Sequence, residues 1–212
     1  LTVPKGFVIA LVGLSGCGKS TTASLLMRFC DAAAGHIYME GKDYHSMKPE
    51  ELRKHIVMVP QQVNLFSGTI RENLLLADPD ADDQTLMEAV KEAGLLKFVQ
   101  SLEKGLNSDV GNAGASLSGG QRQKIGIARA LLSKAEYMIF DEATSSVDPE
   151  SEKEIWETIG HLAHTRTLII ISHRMSSVRG ADCIYVLKDG RVAQQGDHEA
   201  LMAQDGLYRQ LV

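Results

Sequence analysis

Residues 13–20, Gly13-Leu14-Ser15-Gly16-Cys17-Gly18-Lys19-Ser20, fit the pattern G-x-x-x-x-G-K-[ST] and follow an apolar run, Phe7-Val8-Ile9-Ala10-Leu11-Val12. Each residue type has a chemical task at that spacing. Glycines let successive backbone N–H groups turn toward one anion, the lysine amine reaches terminal phosphates, and the Ser20 hydroxyl is a ligand for Mg²⁺. The chemistry is polyphosphate binding. Its candidate residues are Gly13, Ser15, Gly16, Cys17, Gly18, Lys19, Ser20 and Thr21. Cys17 sits among backbone donors that favour a thiolate, where a bulky adduct would block the phosphates.

A second glycine-rich turn, Leu117-Ser118-Gly119-Gly120-Gln121, opens a segment whose apolar residues at 125, 128, 131 and 132 keep helical spacing. It too aims a helix N-terminus at an anion. The first phosphate site already has the helix beginning at Lys19, so the second start is expected to be filled from outside. Asp141-Glu142 closes the apolar strand Tyr137-Met138-Ile139-Phe140. Two carboxylates then stand at a strand's C-terminal end, where open α/β sheets bind ligands. One can hold Mg²⁺ and the other can orient water, which is what phosphoryl transfer asks of a protein. His173, just past Ile169-Ile170-Ile171-Ser172, can face the same crevice. His161 and His164 lie one turn apart without a carboxylate or cysteine to complete a metal set, and read as a solvated face.

The elements that must hold these groups alternate. Strand, loop and helix succeed one another through Lys19 and the helically spaced Ala23, Leu26 and Met27. Residues 35–40 and 55–59 read as short strands around a turn at Gly41-Lys42-Asp43 and a helix near residues 49–53, giving a side sheet and a return to the core. From Thr69 to about Leu132 the pattern is helical, with Leu86, Ala89, Val90 and Ala93 on one face and Gly94 as a stop. Strands resume at residues 137–140 and 167–171, separated by a helix from Pro149 that carries Ile155, Trp156 and Ile159. Residues 183–187 and 191–195 flank Lys188-Asp189-Gly190, a hairpin turn, before a short helix from Asp197. Strands alternating with helices predict an α/β fold with a parallel sheet.

Bulk properties narrow the function. The 22 basic and 27 acidic residues leave a net charge of −5, which argues against a general nucleic-acid surface. The longest apolar runs are strand length, well short of the roughly 18 residues of a bilayer span. Cys17, Cys30 and Cys183 have no metal-ligand spacing and read as reduced thiols.

Together, the phosphate loop and the Leu117-Ser118-Gly119-Gly120-Gln121 motif resemble the nucleotide-binding domain of the ATP-binding cassette (ABC) family. The resemblance runs over nearly the whole chain. It implies a P-loop NTPase (RecA-like) core with a parallel sheet, a partial antiparallel β subdomain and an α-helical signature subdomain. In these terms residues 1–63 and 133–212 form the core with its β part, and residues 64–132 the helical part. It also implies roles. Glu142 would orient the attacking water, Asp141 would hold Mg²⁺ with Ser20, and His173 would face the γ-phosphate. Gln61, after a core strand, would contact Mg²⁺ or water and link the helical lobe to the core. Ser146 and Asp148 match the D-loop that crosses to a partner subunit. The implied ligands are ATP and Mg²⁺. The implied partners are a second nucleotide-binding domain, docked head-to-tail so that each ATP lies between the P-loop of one copy and residues 117–121 of the other, and a transmembrane domain, typically fused upstream. No nucleic-acid partner is expected.

The segment Asn64-Leu65-Phe66-Ser67-Gly68-Thr69-Ile70-Arg71-Glu72-Asn73-Leu74 resembles exporter-type cassettes, where it meets coupling helices of a membrane domain. This implies an exporter motor at the cytoplasmic face of a membrane. Three departures stand out. The upstream aromatic that stacks on adenine in the family is absent ahead of Leu1, so the chain is expected to be a piece of a longer protein. Asn112-Ala113-Gly114 replaces the family's Glu-Arg-Gly, and Cys30 with Ala32-Ala33-Ala34 stands where proline and tyrosine are more frequent. Two other classes share parts of the pattern. A DNA-maintenance ATPase would insert a long coiled coil between the two motifs, and the interval here has no sustained heptads. A regulatory module would bind ATP without turning it over.

Overall fold

The computed structural model describes residues 1–145, 147–163, 165–174 and 177–212. Ser146, of the expected D-loop, and His164 lie outside them. A six-stranded sheet runs in the order β4 (Ile56–Val59), β5 (Tyr137–Asp141), β6 (Thr167–Ile171), β1 (Val8–Val12), β7 (Cys183–Lys188) and β8 (Arg191–Gly196). β1 is parallel to both β6 and β7, β5 is parallel to β6, and β8 closes one edge antiparallel to β7. The residue types explain the order. Central strands are covered on both faces and are written as continuous β-branched and aliphatic runs, such as Thr-Leu-Ile-Ile-Ile in β6, which is buried throughout. β8 is polar and mostly exposed, as an edge must be to resist pairing with another chain.

Two compact units emerge. The first comprises Leu1–Met58, Ala135–Glu142 and Ala163–Val212; the second comprises Val59–Lys134 and Ala143–Leu162. In the first, Ile9, Leu11, Ala23, Met27, Ile139 and Ile169 share one apolar cluster that seats α1 (Lys19–Leu26) on the sheet. Burying each of the larger side chains contributes about 1.5–3 kcal/mol. The side sheet is a two-residue hairpin, β2 (Tyr38–Met39) with β3 (Lys42–Asp43), followed by α2 (Pro49–His55). Its turn is Glu40-Gly41, one residue earlier than the sequence pattern suggested, because Lys42 and Asp43 pair with Met39 and Tyr38. The chain ends in α8 (His198–Met202), capped by Asp197, and α9 (Leu207–Leu211).

The second unit is built on α6 (Gly119–Leu132), whose Ile125, Ile127 and Ala128 are fully buried. Around it pack α3 (Ile70–Leu75), α4 (Asp83–Glu92) and α7 (Pro149–Leu162). α5 (Leu96–Ser101) follows α4, whose buried face carries Leu86, Ala89 and Val90. The helical unit is therefore larger than residues 64–132, since α7 joins it. The reason is local chemistry: the Lys124 ammonium pairs with Glu154, and Gly120 admits Ser151 against the helix backbone. A Cβ at Gly120 would fall 2.4 Å from Ser151 Oγ and 2.5 Å from its Cβ. Gly120→Ala is accordingly expected to cost about 1–3 kcal/mol by overpacking, a fall in Tm of several degrees measurable by calorimetry. An unchanged Tm would show that this helix pair is loosely packed.

Candidate active site

The sheet register builds the site. Leu11 in β1 pairs with Ile171 in β6, and Ile171 pairs with Asp141 in β5, so three strand ends lie in one row. Two residues past that row stand Gly13 and His173, and Glu142 directly follows Asp141. Glu142 N–H donates to the Ile171 carbonyl at 2.9 Å, which ties the acidic step to the end of β6. The result is a cleft of about 370 Å³ lined by Gly13, Leu14, Ser15, Glu142, His173 and Leu211. That volume is within the range of small-ligand sites.

The phosphate loop is shaped for an anion. α1 begins after Gly18, whose φ is 107° and which offers no side-chain cap, so first-turn N–H groups have no intrahelical partner. Lys19 is buried and its ammonium donates to the carbonyls of Gly13 at 2.8 Å and Leu14 at 3.1 Å. Gly190 N–H donates to the Cys17 carbonyl at 3.1 Å, pinning the loop to the β7–β8 turn. Gly13 has no room for a side chain: a Cβ would lie 2.4 Å from the Leu187 carbonyl oxygen and 2.7 Å from Cys17 Sγ. Gly16, with φ of 79°, meets nothing within 4 Å, so a side chain there would enter open space. Cys17 itself is buried, and its thiol lies 3.8 Å from the Lys19 ammonium.

Glu142 and His173 come together, with Oε1 3.3 Å from Nδ1. Glu142 holds φ of 48°, a left-handed conformation that costs a non-glycine residue about 1–2 kcal/mol. Strain of this kind concentrates at functional sites. Burial, and secondarily the Glu142 charge, push the Asp141 carboxyl above its ordinary value, while the Lys19 ammonium draws it down. The folded state thus holds this proton more tightly than the unfolded chain. Stability from this group is full below the unfolded pKa and falls as pH rises through the folded one. Asp141→Asn is therefore expected to raise the Tm of the nucleotide-free protein near neutral pH, and to raise it less near pH ~4. Melting curves at the two pH values check the sign. The donor set also fits Mg²⁺: the Ser20 hydroxyl and Asp141 carboxylate are hard oxygens, with no thiolate or imidazole required.

In the second unit, Ser118 caps α6. Its Oγ accepts from Gln121 N–H at 3.1 Å, and Gln121 Oε1 accepts from Ser118 N–H at 2.8 Å. This reciprocal cap satisfies the N–H groups of Ser118 and Gln121 within the chain and leaves those of Gly119 and Gly120 as the first-turn donors without a cap. Leu117 is buried, and its carbonyl accepts from Arg122. Gln61 donates from Nε2 to Ser145 Oγ at 3.0 Å, a partner that no pattern announced. Asp148 Oδ1 accepts from Ser151 N–H at 2.9 Å at the start of α7, and that bond holds its carboxyl below the usual range. Arg129, its guanidinium pKa lowered by burial, donates to the carbonyls of Asn73 and Asn64 at 2.8 Å each. Asn73 in turn holds both backbone groups of Phe66 at 2.9 Å, and Phe66 stays two-thirds exposed, at 67%.

Residues 1–145 match the family model described as ABC transporter. The chain belongs to the ABC transporter family. As a member of that family it is 44% identical over 213 residues to the mitochondrial potassium channel ATP-binding subunit of Homo sapiens, matching all of this chain and 29% of that one. It is 44% identical over 206 residues to the ATP-dependent lipid A-core flippase 1 of Colwellia psychrerythraea, matching 97% of this chain and 34% of the flippase. The ABC-type transporter kk1G of Curvularia clavata shares 47% identity over 213 residues, all of this chain and 16% of the transporter. A solved bacterial Atm1-family ABC exporter with ATP bound superposes with a TM-score of 0.92 at 39% identity, covering 99% of this chain and 36% of that one. The chain thus spans at most about a third of these ABC relatives' length. The fold is the α/β P-loop fold of an ABC exporter's nucleotide-binding domain.

Proposed function

We propose that this chain is the ATP-binding and ATP-hydrolysing motor domain of an exporter, working as a head-to-tail pair of nucleotide-binding domains around two ATP. The observation that carries the reading is the register row Asp141, Ile171, Leu11, which gathers the phosphate loop, Glu142 and His173 at one cleft. The ATP-bound exporter that shares its fold supports the same ligand.

In this reading the N–H groups of Gly16, Gly18, Lys19, Ser20 and Thr21, with Gly13 and Ser15 shaping the loop around Cys17, cradle the phosphates. The Lys19 ammonium, now held by two neutral carbonyls, gains an anionic partner on the terminal phosphate, and charge-assisted bonds are about twice as strong. Glu142 accepts a hydrogen bond from the attacking water and sets its line of approach. His173, oriented through Nδ1 by Glu142, leaves Nε2 for the γ-phosphate. Ser20, Asp141 and Gln61 are the residues that would hold Mg²⁺, and the ion would supply positive charge to offset the negative charge that develops on the phosphates. Leu117, Ser118, Gly119, Gly120 and Gln121 of one copy would meet the ATP held by the other, through the open N–H groups of Gly119 and Gly120 and a Ser118 hydroxyl released from its cap. Ser146 and Asp148 would cross to the partner copy. ATP binds the closed pair better than the open one, so it shifts that equilibrium, and its hydrolysis releases it.

A membrane domain fused upstream would take up that stroke, with Phe66 and the segment held by Arg129 and Asn73 as its contact, at the cytoplasmic face of the membrane. Among the described residues no helix is long and apolar enough to cross a bilayer. The parallel-sheet core and the α6-centred helical lobe are proposed as the two mechanical parts of the motor.

Phosphate release from ATP, with and without Mg²⁺, tests the reading. Mg²⁺-dependent release supports it. ATP binding without release would make the chain a regulatory module instead.

A further inference from the structure

We propose that His36, Asp43 and His45 form a surface site for a divalent transition-metal ion of the imidazole-preferring class, with Zn²⁺ as its occupant. The three side chains offer ligand atoms that all lie within 4.8 Å of one another. His36 Nδ1 is 2.7 Å from Asp43 Oδ2, and His45 Nδ1 is 3.2 Å from Asp43 Oδ1. Two imidazoles thus converge, each through the same ring nitrogen, on one carboxylate.

The backbone fixes that convergence. Asp43 ends β3, and Tyr44 N–H donates to the Ile37 carbonyl at 2.9 Å, which brings residues 36 and 37 beside 43–45. Asp43 also caps the following 3₁₀ turn: its Oδ1 accepts from His45 N–H at 2.8 Å, and its carbonyl accepts from Ser46 Oγ at 2.7 Å. Oδ1 is therefore committed to the backbone, and Oδ2 is the oxygen available to an ion. Such an outer hydrogen bond is the support that metal-ligating carboxylates characteristically have. A tetrahedral ion with bonds of about 2.0–2.1 Å needs its ligand atoms roughly 3.4 Å apart, a contraction that exposed side chains supply by rotation alone. On binding, each neutral imidazole passes its Nδ1 proton to solvent and takes one up on Nε2, so that the Nδ1 lone pair turns to the ion and the two Nδ1–H···O contacts to Asp43 are replaced. Two imidazoles and one carboxylate suit Zn²⁺ or Cu²⁺, whereas Mg²⁺ prefers oxygen alone. The open fourth position faces solvent, since His36 and His45 are more than half exposed.

Calorimetric titration of Zn²⁺ into the nucleotide-free chain, in a large excess of Mg²⁺, is the test. His36→Gln and His45→Gln are each expected to weaken binding by at least the ~10–100-fold that loss of an outer-shell partner alone costs. With Cu²⁺ as probe, electron paramagnetic resonance is expected to show coupling to two nitrogens in the wild type and one in each variant. Mg²⁺-ATP affinity should be unchanged in the double variant, which keeps this result separate from the ATPase reading and controls for folding. Zn²⁺ affinity equal in wild type and double variant, or a Cu²⁺ spectrum indifferent to both substitutions, would overturn the site.

Discussion

Glu142→Gln is expected to bind ATP with wild-type affinity, to lose hydrolysis by about 10²–10⁴-fold, and to accumulate as an ATP-dependent dimer. The amide keeps the shape of the carboxylate, so the cleft beside Gly13 and His173 retains its lining. What it loses is the negative acceptor that aligns water, and with it the charge that pairs with His173 Nδ1. Binding and chemistry should separate because the proposed phosphate grip is the backbone of residues 13–20, not Glu142. Without turnover, nothing removes the ligand that favours the closed pair, so the population stays closed. Single-turnover phosphate release with sedimentation in ATP and in ADP checks both halves. Retained hydrolysis would remove Glu142 from the mechanism.

Gly13 and Gly16 should fail in opposite ways. Gly13→Ala drives a methyl into the Leu187 carbonyl oxygen and Cys17 Sγ at a φ of 150°, so overpacking adds to backbone strain. About 2–4 kcal/mol of stability should go, which for a chain of this size is a Tm lower by roughly 5–15 °C. Gly16→Ala meets no protein atom and costs only the left-handed strain, about 1–2 kcal/mol. Its methyl, however, stands in the space proposed for phosphate, so nucleotide affinity should collapse while the protein stays folded. Melting temperature and ATP affinity measured on both variants distinguish the two. Equal loss of stability would mean that Gly16 serves the fold alone.

The parts of this architecture that could be read from the sequence are those in which one local rule dominates. The apolar run is legible because Ile9 to Val12 of β1 are buried on both faces of the sheet, although Phe7 at its start lies outside the strand and is exposed, and the following glycines fix the loop before any tertiary contact is known. Leu86, Ala89, Val90 and Ala93 repeat at helical spacing because α4 buries one face only. Lys188-Asp189-Gly190 marks a hairpin, and the strands pair across it. The parts that escaped depend on chain-distant partners. Gly120 resembles a phosphate-binding glycine beside Gly119, yet its Cβ-free face is occupied by Ser151 from another helix. Leu211 lines the active cleft although nothing in α9 distinguishes it from a packing residue. Glu142's φ of 48° is set by its bond to Ile171, which is remote in sequence. The self-capping of Ser118 is legible too, since Ser and Gln three apart form a capping box.

In the proposed pair one nucleotide is completed by two copies, and mixing two inactive variants tests that directly. Lys19→Ala removes the phosphate grip, and Ser118→Arg blocks the motif at the start of α6. Each alone should be inactive. Mixed, they can form a pair in which the intact loop of one faces the intact motif of the other. ATPase activity well above that of either variant alone is the predicted result, and a mixture no more active than its separate components would contradict the two-copy engine.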